Sequence, residues 1–536
     1  MSNHVFNLAP NIKTPRSTFN RPYRIKDTID VDYLYPIYCD EVLPGDTVKY
    51  KFSLFGRLAT PIVPIMDRLH LDTFFFFVPM RLIDNDWKKF QGERPFGDLD
   101  MPVVRPMLNS GSEGVVVDSL SDHIGIPVGV PNLDFLPDWH RAYNLIWNEW
   151  FRPEYICPAV PVAGVHEDGT VTEEKLSDYV LLKRGKRLDY FTGANPFPQV
   201  GEAVSLPVGG TAPVVSDGSS IIITPITGGQ AGNQYQIQSQ NGTLAFSNNG
   251  VFQSGVSTGS QVAFGNNSGL VADLSNASAV TINELRNAIA AQHYLEQLAR
   301  SGSRYIEILR GVWNVVSPDA RLQRPEYLGG SSTLLDITTV PQTSQTEQEG
   351  TPQGNLAAFG TASCEGFWSR SFTEHGVILG LCNLRADVSY QQGINRMFTR
   401  KTRFDYYNPP FANIGEQAVL NKEIFAQGSN VVDTFGDPVD DGVFGYQEAW
   451  AEYRYYPDQI HGKFRSGIEG GSLDYWHLGL HFDELPTLSP DFVLESVPID
   501  RCLAVTDEPS FIIAGAANAT WSREMPLYSV PGLSRL

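Results

Sequence analysis

Residues 48–54 read Val-Lys-Tyr-Lys-Phe-Ser-Leu, so apolar and polar side chains alternate along this stretch. Successive side chains of a β-strand point to opposite faces, and the alternation therefore predicts a strand with one buried and one solvent-facing side. The next apolar stretch, Leu69 to Val78, follows a turn that contains Pro61 and Pro64 and becomes apolar on both faces toward its end. This second pattern predicts a strand that is buried on both sides.

Two segments indicate helices between such strands. Asp134 to Phe151 has aromatic residues at helical spacing, which we interpret as packing against a sheet in preference to a cofactor site. Thr281 and Glu284 form a capping box, in which the hydroxyl and the carboxylate each satisfy a free backbone amide at the start of a helix. Short strands joined by long, occasionally helical excursions predict a mainly β barrel or sandwich with large insertions.

The composition limits the class of protein. The 536 residues are 42% hydrophobic and 19% charged, which is enough apolar material for a large core and too little charge for a disordered chain. The net charge of −20 excludes a uniformly basic nucleic-acid coat but allows a local basic patch. No apolar run reaches the ~18 residues of a membrane span, and the amino terminus has no signal-peptide core. Five scattered cysteines without a CxxC motif are typical of a reducing cytoplasm.

Basic residues are concentrated in three segments. The first 26 residues contain five basic side chains, no acid and three prolines, which predicts an extended arm or a solvated tail. Lys183 to Arg187 is a second cluster, and Arg396 to Arg403, interleaved with aromatic residues, is a third. Cations on phosphates and aromatic rings under bases are what a single-strand site requires, although such clusters also pair with acids of neighbouring subunits. The candidate nucleic-acid contacts are Arg16, Arg21, Arg24, Arg400, Lys401 and Arg403.

Motifs for enzyme chemistry or metal binding are weak. A GxSxG match at residues 255–259 lies in Gly- and Ser-rich sequence, without the strand and helix that a nucleophile elbow needs. His477 and His481 lie four apart in Ser472 to Phe482, which has strand composition, and no third ligand lies at a recognisable spacing. The acids from Asp433 to Asp441 lack calcium-loop spacing and predict a solvated loop. We therefore expect no enzyme activity, no cofactor and no metal.

The segment from Ser205 to Val280 differs from the rest of the chain. It is rich in Gly, Ser, Asn and Gln, has no lysine or arginine and contains only two acids, Asp217 and Asp273. A structureless loop of this length is uncommon in a compact domain. The composition therefore predicts a small β-rich insertion that projects from the main body.

Several motifs resemble the major capsid protein of the Microviridae, small single-stranded DNA bacteriophages, and specifically of the gokushovirus subgroup. The similarity extends over essentially the whole chain. The matching stretches are Phe6-Asn7-Leu8, Arg16 to Phe19, Leu43-Pro44-Gly45-Asp46, Leu71 to Pro79, Ile282 to Arg286, Arg304-Tyr305, Arg324 to Gly330, Phe404 to Tyr407 with Pro409, and Glu452 to Arg454.

The resemblance implies an eight-stranded antiparallel jelly roll that builds a T=1 icosahedral shell around circular single-stranded DNA. It places the protein in the virion after assembly in the bacterial host cytoplasm. The implied partners are further copies of the chain, genomic DNA, a small basic DNA-packaging protein, a scaffolding protein, a minor pilot protein and a host receptor, without membrane insertion.

The resulting domain prediction has four parts: a basic arm (1–35), the first part of the jelly-roll body (36–204), a variable surface insertion (205–280), and the remaining body with the tail (281–536). The resemblance implies that the insertion forms a threefold protrusion that contacts the host, and a passive spacer is the alternative. The candidate host-contact residues are Ser205, Gln234, Tyr235, Asn241, Phe252 and Asn266.

Two other classes of protein remain open at this point. Gly- and Asn-rich β segments with many Trp and Tyr residues also suit a carbohydrate-binding or depolymerising β-protein, which would need paired carboxylates beside exposed aromatic rings. Another self-assembling shell or appendage subunit is the second alternative.

Overall fold

The computed structural model describes residues 15–93, 104–204, 281–343, 354 and 356–529, and within 205–280 the backbones of five short strands. Antiparallel strands dominate it. In chain order they are β1 Ser17–Ile29, β2 Tyr35–Val42, β3 Thr47–Leu58, β4 Leu69–Pro79, β5 Leu108–Asn109, β6 Asp134–Phe135, β7 Val214–Ser216, β8 Ile222–Pro225, β9 Tyr235–Gln236, β10 Val262–Phe264, β11 Leu270–Ala272, β12 Glu326–Leu334, β13 Asp336–Pro341, β14 Leu356–Ser371, β15 Gly376–Ala386, β16 Ser389–Tyr390, β17 Glu416–Leu420, β18 Val443–Glu448, β19 Asp458–Gln459 and β20 Phe511–Arg523.

The helices are short, with one exception. They are α1 Met80–Ile83, α2 Trp87–Phe90, α3 Leu120–Ile124, α4 Asp138–Ile146, α5 Ile282–Ser301, α6 Tyr305–Trp313, α7 Asn421–Ile424 and α8 Pro490–Val493, and a π-helical turn, Trp147–Phe151, continues α4. No helix in the described part of the chain is both long and apolar enough to cross a bilayer.

Two antiparallel sheets form the body of the fold. One has the strand order β1-β20-β3-β14-β13, and the other has the order β12-β4-β15-β2. Strands far apart in sequence are neighbours in both sheets, which is the connectivity of a jelly roll. The mainly β jelly-roll prediction is confirmed. The two sheets contain nine strands in place of the eight we expect, and β1 and β13 are the edge strands of the first sheet.

The core between the sheets follows the alternation of apolar and polar side chains at residues 48–54. Val48, Tyr50, Phe52 and Leu54 of β3 are buried in one cluster with Phe75 of β4, so the prediction of a half-buried strand is confirmed. On the opposite face of β4, Phe76 belongs to a second cluster with residues of α4. The strand is therefore buried on both sides, as we predict, and the aromatic stripe of α4 packs against the sheet.

The strand β1 includes thirteen residues of the segment expected to be an arm. It pairs with β20 from Ser17 to Ile29 and forms the edge of the five-stranded sheet. Pro22 has no amide hydrogen, and an edge strand is the position in a sheet that tolerates this loss. The first described residue is Pro15, so the preceding part of the segment lies outside the description.

The chain forms two compact units, residues 1–200 with 296–536, and residues 201–295. The second unit contains a three-stranded sheet, β10-β8-β9, and a two-stranded sheet, β11-β7. At the start of α5 the Thr281 amide donates to Glu284 and the Glu284 amide donates to the Thr281 hydroxyl, so the predicted capping box is confirmed.

Candidate nucleic-acid interface

The five-stranded sheet has one face that does not pack against the other sheet. On β3 this face presents Lys49, Lys51, Phe55 and Arg57, which alternate with the buried core residues. Among the outward residues of this sheet, we call six cations and the two most exposed aromatic rings the basic face. They are Arg16, Arg24, Lys26, Lys49, Lys51 and Arg57, with Phe55 and Phe367.

The register of the strands forms a shallow groove on the basic face. Arg24 of β1 is opposite Ala516 of β20, which is in turn opposite Ser53 of β3. One step along, Lys26 is opposite Ala514. Adjacent strands lie about 4.8 Å apart, so the cations of β1 and β3 stand roughly 10 Å apart across a floor of small side chains.

The cations of the basic face are largely unneutralised. The Arg16 guanidinium donates to the hydroxyls of Ser522 and Thr47, at 2.9 Å each. The other five side chains form no hydrogen bond or ion pair with any described residue. The outward acids of the described strands in this sheet are Glu365 on β14 and Asp336 at the edge. A local excess of positive charge therefore lies on a chain whose net charge is −20.

Two aromatic rings complete the basic face. Phe55 is 50% exposed and Phe367 is 64% exposed, although both lie in the middle of long strands. Lys51 is directly opposite Phe367 in the register of β3 and β14. Cations that follow a phosphate backbone, with aromatic rings on which bases stack, are the features of sequence-independent single-strand binding.

The three predicted contacts of the amino-terminal segment separate into two groups. Arg16 and Arg24 belong to the basic face. Arg21 points to the other side of β1, where its guanidinium forms an ion pair with Asp40 at 2.8 Å and lies 5.3 Å from the centroid of the Trp521 ring. Successive side chains of a strand point to opposite faces, so side chains an odd number of positions apart lie on different faces. Arg16 and Arg24 are five and three positions from Arg21 and therefore lie on the face opposite to it.

The cluster near Arg400 has a different character. The Arg400 side chain is only 9% exposed and forms an ion pair with Glu452 at 3.2 Å. Its guanidinium also lies 4.3 Å from the centroid of the Tyr453 ring. Lys401 and Arg403 are exposed. Arg400 therefore holds the turns together, and only its two neighbours are available to an outside ligand.

The cluster from Lys183 to Arg187 is mostly structural. Arg184 forms an ion pair with Asp72 at 2.6 Å. The Lys186 ammonium donates to the carbonyl of Phe492, and burial lowers the pKa of Lys186 to about 8. Arg187 is the cation of this cluster that reaches the surface without a described partner.

The sequence reasoning missed most of the basic face: Lys26, Lys49, Lys51, Arg57, Phe55 and Phe367. The available signal was the alternation itself, since Lys49 and Lys51 occupy the polar side of a predicted strand. Their grouping with Arg24 and Lys26 depends on β20, more than 450 positions further along the chain. No local pattern indicates that pairing.

The candidate host contacts fall on the second unit. Ser205, Gln234, Asn241, Phe252 and Asn266 lie outside the described residues, and Tyr235 is described only as part of β9. Their role remains a prediction.

The weak chemical motifs receive structural roles where they are described. The His477 ring accepts from the Gly479 amide at 3.0 Å and is buried, and the predicted strand around it is wrong, because the segment forms a 3₁₀ turn, Asp474–Trp476, with irregular chain after it. The Asp440 carboxylate accepts from two backbone amides. The described residues contain no group of three potential metal ligands. Residues 255–259 lie outside the description.

A jelly roll with an unneutralised basic face is typical of a coat protein that encloses nucleic acid. The chain belongs to the phage capsid protein (F protein) family, which matches it over residues 9–533. The capsid protein VP1 of Bdellovibrio phage phiMH2K is 43% identical over 98% of this chain and 97% of that protein. VP1 of Chlamydia phage 1 is 39% identical over 99% of this chain and 98% of that protein. VP1 of Spiroplasma virus 4 is 36% identical over 99% of this chain and 98% of that protein.

The family confirms the resemblance to the capsid proteins of the Microviridae. The chain is the major capsid protein of a phage, a structural component of the virion that assembles into a multimeric shell. Within the alternative of a carbohydrate-binding or depolymerising β-protein, the depolymerising enzyme is wrong, since the named relatives are capsid proteins.

Proposed function

We propose that this capsid protein forms a T=1 icosahedral shell around circular single-stranded DNA and turns its basic face toward the genome. The observation that supports the genome contact is the set of cations on the outward side of β1 and β3 that have no ion pair among the described residues. A phosphate backbone could follow the groove over β20, while bases stack on Phe55 and Phe367. Sequence-independent contacts of this kind suit a coat that must accept every part of a genome.

The charge of the whole chain restricts how much of the genome the protein neutralises. A net charge of −20 repels a polyanion everywhere except at a local positive patch. Bulk neutralisation therefore falls to the small basic packaging protein among the proposed partners. A scaffolding protein and a minor pilot protein complete the proposed assembly.

The exposed pair Lys401 and Arg403 is a second, smaller candidate for DNA contact. Arg403 lies 4.8 Å from the centroid of the Phe404 ring, so a cation and an aromatic ring are adjacent there as well. Arg400 is removed from the proposed contacts because its charge is already balanced by Glu452.

The genome contact is tested by replacing three cations of the basic face together, Lys49→Gln, Lys51→Gln and Arg57→Gln. All three are exposed and have no described partner, so the subunit should fold as before. Binding of dissociated subunits to oligo(dT) is measured at several salt concentrations. Loss of three phosphate contacts should lower the slope of log affinity against log salt by about 2, since each contact on a single strand contributes about 0.7.

The matched control is a triple variant with the same change in charge elsewhere on the surface, Lys175→Gln, Arg321→Gln and Lys463→Gln. It should lower affinity slightly through net charge and leave the salt slope near that of the parent protein. Equal slopes for the two triple variants would place the genome contact away from the basic face.

A further inference from the structure

The loop that follows α7 presents one aromatic side chain to solvent. Phe435 is 90% exposed, the highest value of any large hydrophobic residue in the described chain. It lies at the tip of a hairpin-like loop whose arms meet at a bridge between Val432 and Pro438. No residue in the described part of the subunit buries this ring.

The loop around Phe435 is held in one conformation. The Asp433 carboxylate accepts from the amides of Phe435 at 2.8 Å and of Asp437 at 3.0 Å, and the Asp433 amide donates to the Asp437 carbonyl at 2.8 Å. Asp440 anchors the base of the loop through the amides of Gln427 and Gly428. Such a network constrains the backbone that presents the exposed ring, and exposed aromatic side chains that become buried in a partner are common anchors of protein interfaces.

A pocket of matching chemistry lies elsewhere on the same unit, near β4 and the π-helical turn. It measures about 420 Å³, and we call it the aromatic pocket. None of its lining residues comes from the Phe435 loop. Five aromatic rings line it, those of Phe74, Phe76, Trp150, Phe151 and Tyr327. The rings stand 5.1–5.8 Å from one another, between Phe74 and Phe151 and among Phe76, Trp150 and Tyr327. These rings pack against one another. Phe76 is only 1% exposed, and Tyr327, at 42%, is the most accessible ring for a further aromatic group.

The rim of the aromatic pocket is basic. Arg187 is exposed there and has no described partner. Arg152 is a second cation of the lining, but its side chain is only 10% exposed and already forms an ion pair with Glu167 at 3.4 Å, so Arg187 is the cation available to a partner. The Phe435 loop has the opposite charge, since the Asp437 carboxylate is exposed and forms no hydrogen bond with a described residue. The loop and the pocket therefore match in aromatic character, and Asp437 and Arg187 have opposite charges.

We propose that the Phe435 loop of one copy inserts into the aromatic pocket of a second copy in the shell, with Asp437 facing Arg187. The proposal rests on assembly of the chain into a shell, and it specifies one contact of that assembly. The two surfaces are different parts of the chain, so the contact is heterologous and can close into a ring around a symmetry axis. A nucleobase or a segment of another phage protein could occupy the same pocket, and the experiment distinguishes these occupants.

The direct test is chemical cross-linking of assembled particles between Phe435→Cys and Leu188→Cys in one chain. Leu188 is exposed at the edge of the aromatic pocket, and a short bis-maleimide tolerates the uncertainty in thiol separation that a disulfide does not. We expect covalent dimers and longer ladders on a denaturing gel. Each single-cysteine variant should remain monomeric, and so should the matched pair Val171→Cys with Leu188→Cys, because Val171 is an exposed residue of another loop.

A charge exchange gives a second measurement that does not depend on the introduced cysteines. Arg187→Asp and Asp437→Arg should each raise the subunit concentration needed for assembly about tenfold or more, because like charges then meet at the contact. The double exchange should restore assembly. Both side chains lack a described partner, and the melting temperature of dissociated subunits should not change.

The results distinguish failure of the contact between loop and pocket from failure of the proposed shell function. Intermolecular cross-links together with rescue by the double exchange support the contact. Particles that assemble normally without cross-links or charge effects overturn it and leave the shell function intact. If oligo(dT) quenches the tryptophan fluorescence of parent subunits and clearly less that of Trp150→Phe subunits, the pocket binds a nucleobase and the proposal is overturned. Failure of the parent protein to form particles would refute the shell function itself.

Discussion

Glu495 is a carboxyl group buried within the subunit. It is 2% exposed, and its Oε2 has no hydrogen-bond donor among the described residues. Burial raises the pKa of Glu495 to about 7, and the charge of Asp32 adds to the effect, while Arg184, Lys186 and Arg385 oppose it. The folded subunit therefore favours the protonated acid, whereas the unfolded chain ionises near the ordinary value of about 4.3.

This shift gives a pH prediction at the scale of one residue. Because the pKa of Glu495 is higher in the folded than in the unfolded state, the protonated group contributes stability that is fully present at a pH below the unfolded-state pKa. This stability is lost as the pH rises through the folded-state pKa near 7. Glu495→Gln cannot ionise, so at pH 8 the variant should be more stable than the parent by up to about 3 kcal/mol, and at pH 4 the difference should be small. Chemical denaturation of dissociated subunits at both pH values measures this. A difference that does not change with pH would contradict the assigned cause.

At the scale of the element, several strands place a glycine beneath an aromatic ring. Gly366 of β14 is directly opposite Phe52 of β3, and a Cβ at Gly366 would lie 2.3 Å from the Phe52 ring. Gly376 of β15 is directly opposite Pro79, and a Cβ at Gly376 would lie 2.3 Å from the ring of Phe77. These rings fill the space above the glycines, so the glycines allow the two sheets to approach with bulky aromatic residues between them.

We predict that Gly366→Ala destabilises the subunit by about 1–3 kcal/mol, the usual cost of overpacking a core that cannot relax freely. The ring of Phe52 is buried and would have to move against Phe75, whose centroid is 4.7 Å away. Chemical denaturation of dissociated subunits measures the effect. Ser363→Ala, on the outward side of the same strand, is the matched control and should change stability by less than about 0.5 kcal/mol. Equal effects of the two substitutions would contradict the packing argument.

At the scale of the whole molecule, a body with a basic face and an insertion without lysine or arginine indicate different surroundings for the two. We propose that residues 205–280 contact the host and not the genome, because phosphates would favour cations there. The Gly, Ser, Asn and Gln content is typical of adaptable recognition surfaces. A passive spacer is the simpler alternative, since long surface insertions cost little stability.

A chimera tests whether residues 205–280 contact the host or act only as a passive spacer. Residues 205–280 are exchanged for the corresponding segment of the Chlamydia phage 1 capsid protein, and a second variant contains the same residues in shuffled order. We expect intact particles from the chimera, because α5 begins with its own cap at Thr281. Host adsorption should change in the chimera and be lost in the shuffled variant. If both variants adsorb like the parent, the receptor contact lies elsewhere on the shell.

Much of the candidate site could not be predicted from the sequence. The cations at 16 and 24 are visible as basic residues in an acid-free segment, but Arg21 in the same segment points away from them. Arg400 has the neighbours of a nucleic-acid site and is nevertheless neutralised, because Glu452 lies 52 positions away and only folding brings the two together. A cluster of charges in sequence does not specify which charges remain unpaired.

Short stretches of sequence were sufficient to predict the first strands of the body, the cap of α5 and the family. The alternation at residues 48–54, the doubly buried strand at 69–78 and the cap at Thr281 depend on near neighbours and on backbone geometry, so short windows are sufficient to recognise them. The tertiary structure alone decided the order of strands in each sheet, and with it the basic face. That face exists because β20 pairs with both β1 and β3, and pairing between distant strands depends on burial of whole sheet faces, which no local stretch of sequence encodes.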